Sequence, residues 1–235
     1  MRATIKAKLA GAFAFLLLIT GIIGVFGITN MSTINDKSTD LAKNWMPSID
    51  AIHRINTATS DLRIKQYRHV VTTDAEEMRK VEGEIDAIAK EIEKQSSRYE
   101  KLISSDSERE IYENFEEKFA RYQRTSERFL ALSRNNQNAE ATALLISSVT
   151  LFDGFSNELL KLVKLNVEGG EKASIEGDEA YADARNIGLL VVAMIAGIAA
   201  AIWISLTISR GLKNVSVAID AVAIGDLDKD VVVTT

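Results

Sequence analysis

A chain of 235 residues that is 46% hydrophobic and 26% charged, with 33 acidic against 28 basic side chains and a net charge of -5, is neither a disordered segment nor a basic partner of nucleic acid. It has no cysteine, which excludes disulfides, a thiol nucleophile and a thiolate metal site. A single proline, Pro47, and few alternating β-type runs favour long helices.

Residues 1–8 carry Arg2, Lys6 and Lys8 and are expected on the cytoplasmic side of a membrane. Residues 9–28, from Leu9 to Ile28, are free of charge and rich in Leu, Ile, Phe, Gly and Ala, which predicts a first transmembrane helix. A cleaved signal peptide shares the basic start. Here, however, the apolar run outlasts a signal core of roughly 7–15 residues, and no A-x-A site follows it. Gly11, Gly21, Gly24 and Gly27 would let this span pack closely on a neighbour, although glycines are common in membrane helices.

Residues 29–186 are expected outside the membrane, and helix punctuation divides them into four pieces. The first runs to about Val71, with Pro47 kinking or restarting it, because proline fits only a first turn without loss of hydrogen bonds. The second opens at Thr73-Asp74, where Asp74 and Glu77 spell a capping box, and carries Met78, Val81, Ile85, Ile88, Ile92, Tyr99 and Leu102 at heptad spacing. A break at Ser104–Ser107 precedes the third piece, for which Ser107 and Glu110 suggest another box. That piece places Ile111, Phe115, Phe119, Tyr122, Phe129 and Leu132 on one stripe and ends around Ser133–Asn136. The fourth begins near Asn138, carries Leu145, Phe152, Phe155, Leu159 and Leu162, and continues through Gly169-Gly170, read as a bend or a tolerated weak point. Short connections make sequential helices antiparallel. The expected fold is therefore all-α: a membrane-anchored antiparallel four-helix bundle whose aromatic stripes are core and whose interleaved charges are solvated faces.

Residues 187–208, Ile187 to Ile208, form the second predicted span, uncharged and long enough at 1.5 Å per residue to cross a bilayer core of roughly 30 Å. Arg210 and Lys213 follow it, whereas its outer flank holds Glu171, Glu176, Asp178, Glu179 and Asp183. Both chain ends should therefore face the cytoplasm and the middle segment the outside. Trp203 near the inner end suits an interfacial anchor.

In residues 209–235, Leu212, Val215, Ile219 and Val222 keep heptad register and lead into Ala223-Ile224-Gly225-Asp226-Leu227. This stretch resembles the first half of a HAMP linker, with Gly225, Asp226 and Leu227 as its connector and Gly211 where such linkers usually carry proline. The whole order of elements resembles the input half of a bacterial methyl-accepting chemotaxis protein. That resemblance implies a homodimer in the inner membrane, a periplasmic sensor that takes a small-molecule ligand or a periplasmic binding protein, and small motions of the fourth helix passed to HAMP. The adaptor and histidine kinase of that family would be reached only through a cytoplasmic part beyond Thr235, so the chain is expected to be a fragment or a truncated product.

The aspartate and serine receptors of the family bind ligand through arginines on the first sensor helix and polar groups on the fourth. The resemblance makes Arg63, Arg68 and Thr150 the candidate ligand residues, with Thr72 standing where a further arginine would be. Two guanidiniums would suit a carboxylate. The ordinary alternative is a pair of exposed arginines matched with Asp61 or Glu76. His53 and His69 lack metal-ligand spacing, no metal or cofactor is called for, and no catalytic motif appears, so no enzyme is expected. The input region of a sensor histidine kinase or a membrane-bound diguanylate cyclase, or a ligand-free structural protein, would share this architecture.

Overall fold

The computed structural model describes residues 5–223, with side chains for residues 13–217 and Ile219. The predicted connector Gly225, Asp226 and Leu227 lies outside the described residues. In chain order the elements are α1 (Ile5–Asp40), a π-helical turn (Leu41–Trp45), α2 (Met46–Val71), α3 (Ala75–Glu100), α4 (Asp106–Arg134), α5 (Asn138–Ser147) and α6 (Val149–Ala223). No strand occurs among the described residues. The chain divides into two compact units, one formed by Ser32–Glu179 and one by the residues on either side of it.

In the flanking unit, α1 and α6 each contain a stretch long and apolar enough to cross a membrane, by length and composition. None of that apolar surface is buried against protein: Leu17, Leu190 and Trp203 are 70% exposed or more. Stripes this greasy need a non-aqueous surrounding, which points to membrane anchoring.

The unit Ser32–Glu179 is an antiparallel bundle of α2, α3, α4 and the α5–α6 pair. Its hairpins are set by local chemistry. Asp74, extended at φ -78°, ψ 123°, accepts the N–H groups of Glu76 and Glu77 and starts α3 as expected. The start of α4 differs from the sequence expectation. Ser105, not Ser107, is the cap: it is the last extended residue, its Oγ accepts the Glu108 N–H, and Ser107 already lies inside the helix. Only a residue with non-helical backbone can aim its side chain back at the third helical N–H. At the other hairpin Asn136 takes the left-handed conformation, φ 58°, a role asparagine fills at low cost.

Pro47 stands in the first turn of α2, directly after the π turn. Proline clashes with the carbonyl four residues earlier, and the wider π turn accommodates a residue that cannot join the α ladder. Gly169 and Gly170 lie within α6, whose ladder is not interrupted there. Their function is contact: the Trp45 indole lies against them.

The core is one long cluster. Ile52, Ile55 and Leu62 of α2 meet Ile92 and Tyr99 of α3, Phe115, Phe119 and Tyr122 of α4, and Phe155, Leu159 and Leu162 of α6. A smaller cluster of Val70, Phe129, Leu130, Ala141 and Leu145 closes the end farthest from the chain's entry and exit.

Candidate functional site

The predicted fourth helix is two helices. α5 stops at Ser147 and α6 starts at Val149, with Ser148 between them at φ -75°, ψ 0°. The Leu145 carbonyl accepts two side-chain donors, the Ser148 hydroxyl at 2.7 Å and Arg63 Nη2 at 2.9 Å. Arg63 Nη1 donates to Ser148 Oγ at 2.6 Å and to the Tyr122 hydroxyl at 3.2 Å. Tyr122 in turn donates to Gln66 Oε1, and Gln66 Nε2 donates to Ser126 Oγ at 3.0 Å. A single α2 arginine thus ties α4 to the break in the fourth helix.

Arg63 is 7% exposed and has no carboxylate partner among the described residues. Its guanidinium carbon lies 5.1–5.5 Å from the ring centres of Tyr67, Tyr122 and Phe152, so π faces supply part of the missing counter-charge. The carbonyl end of α5 supplies more, because the C-terminus of a helix carries partial negative charge. All its acceptors are nonetheless neutral. A carboxylate would bind this group more strongly than any of them, since charge-assisted bonds are roughly twice as strong as neutral ones.

The other two candidates lie elsewhere. Arg68 is exposed and pairs with Glu77 and Glu84 of α3, rather than with Asp61 or Glu76. Thr150 is exposed in the first turn of α6, two residues past Ser148. The structure therefore brings Arg63 to the chain segment that holds Thr150 and directs Arg68 to α3. Tyr122, Gln66 and Ser148 were not anticipated. The break has neither glycine nor proline, and Ser147-Ser148 is its only trace in the sequence.

Of the two histidines, His53 is exposed and His69 is wholly buried. His69 Nδ1 lies 3.0 Å from Ser133 Oγ and Nε2 lies 3.1 Å from Glu82 Oε1, a core histidine joining α2, α3 and α4. Burial raises the Glu82 carboxyl, but hydrogen bonds from Arg134 and His69 outweigh it and hold the group below its usual range.

At the end where the chain enters and leaves the bundle, a second buried network fixes α6. Glu108, fully buried, accepts the Tyr99 hydroxyl at 2.6 Å, Asn166 Nδ2 at 3.1 Å and the Ser104 N–H at 2.9 Å. Burial, then the bond to Glu108, pushes the Tyr99 hydroxyl well above the usual tyrosine range, so it stays a donor at any physiological pH. Glu158 of α6 is buried beside Lys118 and Lys161. Burial raises its carboxyl, and the two lysine hydrogen bonds more than reverse that.

Comparison with known proteins places this arrangement. Residues 2–181 match the model of the family described as a four helix bundle sensory module for signal transduction. The chain is also similar to YvaQ of Bacillus subtilis (strain 168), whose name describes it as a sensory transducer protein, at 29% identity over 232 residues. That match covers 98% of this chain but 41% of the relative, so the chain spans less than half of that protein's length. The bundle, the two apolar helices and the family match agree: this chain belongs to the four-helix-bundle sensory modules of the chemotaxis transducer family, a family of signal-transduction modules rather than of enzymes.

Proposed function

We propose that the chain is the input module of a chemotaxis transducer, with the bundle on the periplasmic side of the bacterial inner membrane and both chain ends in the cytoplasm. The signal is a small carboxylate, taken up directly or presented by a periplasmic binding protein. It passes through α6 to a HAMP linker beginning after the second span. The observation that carries this reading is Arg63: a buried cation with only neutral acceptors, seated at the one break in the fourth helix, whose next segment is α6. An acid that engages Arg63 beside Thr150 withdraws the donors of Leu145 O and Ser148 Oγ, so binding changes the break itself.

The module works as a homodimer in this reading. On α2, Met46, Ile64, Tyr67 and Val71 are 42–69% exposed, and Ile64, Tyr67 and Val71 follow three- and four-residue steps, the seam of a helix pair. Ile146, Val149 and Leu160 extend the uncovered apolar surface onto α5 and α6. A second copy is the occupant such a seam suits, as burial of these side chains is worth about 25 cal/mol per Å².

Calorimetry of the full chain in nanodiscs against amino acids and small dicarboxylates tests the ligand. An acid that binds should lose about 100-fold in affinity in Arg63→Ala, the equivalent of two charged hydrogen bonds at roughly 1.5 kcal/mol each, and a smaller factor in Arg68→Ala. Unchanged affinity in both variants would remove the arginines from the site.

A further inference from the structure

Gly169-Gly170 is a costly pair in a helix, because glycine is a poor helix former and neither residue has a positive φ that would require it. The structure gives a different reason. A Cβ on Gly169 would stand less than 3.0 Å from Cη2, Cζ3 and Cζ2 of Trp45, a distance real Cβ atoms essentially never show. The obstacle is the rigid six-membered edge of an indole, not the end of a flexible chain. A Cβ on Gly170 would meet Trp45 Cβ at 3.5 Å and Leu41 Cδ2 at 3.7 Å, which is ordinary contact. The indole thus presses on the backbone of α6 at Gly169 and lies along Gly170.

Three further features converge on this level. Trp45 is the last residue of the π turn, and π turns are rare and concentrate at functional positions. Leu41, at the start of the same turn, reaches Gly170, so both ends of the turn face α6. Two turns farther along, Lys37 pairs with Glu176, and a Cβ on Gly177 would lie 3.7 Å from Lys37 Cβ. These residues belong to the helices by which the chain enters and leaves the bundle.

We propose that Trp45 and Gly169 form a register lock that fixes where the departing helix α6 stands against the entering helix. Around the helix the pair is flanked by Glu168 and Glu171, and one turn away on the face of Gly169 stand Leu165, Asn166, Lys172 and Ala173, all of which carry a Cβ. Sliding or turning α6 beyond the two glycines therefore drives a Cβ into the indole. The lock sets the resting position of α6 and limits its travel to the width of the glycine pair. This goes beyond the sensory reading and does not depend on what the bundle binds.

The test uses the full chain in nanodiscs with Trp203→Phe, which leaves Trp45 as the only tryptophan, and with the cysteine pair Lys37→Cys and Gly177→Cys. The parent has no cysteine, and a Cβ separation of 3.7 Å matches a disulfide. The pair should oxidise readily. Adding Gly169→Ala should slow the oxidation severalfold and red-shift Trp45 emission as the indole is expelled. Gly170→Ala should leave both readouts near the parent, which separates the lock from a general effect of alanine in the helix. Replacing Trp45 by leucine in the Gly169→Ala background should restore the oxidation rate. Parental oxidation and emission in Gly169→Ala, an equal effect of Gly170→Ala, or no recovery on removing Trp45 would each overturn the lock.

Discussion

Replacing Phe155 by alanine should cost about 3–5 kcal/mol of stability, among the largest losses open to a single substitution in this bundle. Phe155 is wholly buried on α6 and lies at the centre of the aromatic cluster. Its ring centre is 5.0–6.2 Å from those of Phe115, Phe119, Tyr122 and Phe152, mostly in edge-to-face geometry. Each such pair adds roughly 0.5–1.5 kcal/mol to the burial of the ring. Four rigid rings cannot collapse into the space left by a fifth, so the cavity contribution should be near its upper range. Phe155→Leu, which refills most of the volume, should recover the larger part. The measurement is thermal unfolding of the full chain in detergent, followed by helical circular dichroism. A loss on the order of 10 °C is expected for Phe155→Ala; a shift within a degree or two would mean that the aromatic cluster does not hold the bundle together.

Replacing Glu108 by alanine should cost about 3 kcal/mol, through unpaired donors rather than lost volume. The carboxylate takes hydrogen bonds from Tyr99, Asn166 and the Ser104 N–H, on three different segments of the chain. Without it the Tyr99 hydroxyl and the Ser104 N–H have no acceptor, and each buried orphan costs roughly 1–3 kcal/mol. Glu108→Gln keeps one oxygen for Tyr99 and Asn166 but turns an NH2 toward Ser104, so an intermediate loss is expected. The same unfolding measurement separates the three proteins. Equal stability of Glu108→Ala and the parent would show that solvent replaces the carboxylate without cost. Because this network holds α6 at the end from which it leaves the bundle, amide exchange around Asn166 should also accelerate in the alanine variant.

The bundle was legible because its signals are local and repeated. The stripe of Phe115, Phe119 and Tyr122 sits at helical spacing with charges between, and all three are buried. Asp74 caps α3 because an aspartate before a heptad run has one obvious use. The cap of α4 lies two residues before the serine that the box pattern favours, because the stretch Ser104-Ser105-Asp106-Ser107 offers three serines. Backbone conformation, which composition does not encode, decides among them. The break at Ser148 was not legible at all. It is held by Arg63, 85 residues away, and no local pattern announces a contact of that range. Likewise Gly169 looked like a defect, because its partner Trp45 is on another helix. In both cases a residue unsuited to its own helix is explained by a residue far away in sequence.

The sidedness of the bundle is the claim on which the sensory reading rests. Since the chain lacks cysteine, single-cysteine variants report it cleanly. Lys94, with a side chain 73% exposed on α3, is replaced by cysteine in one variant, and Lys213, after the second apolar stretch, in another. With a membrane-impermeant maleimide, the account predicts labelling of Lys94→Cys in cells whose outer membrane alone is opened, and labelling of Lys213→Cys only after the inner membrane is broken. The reverse pattern would place the bundle in the cytoplasm and contradict the proposal that it receives an external signal.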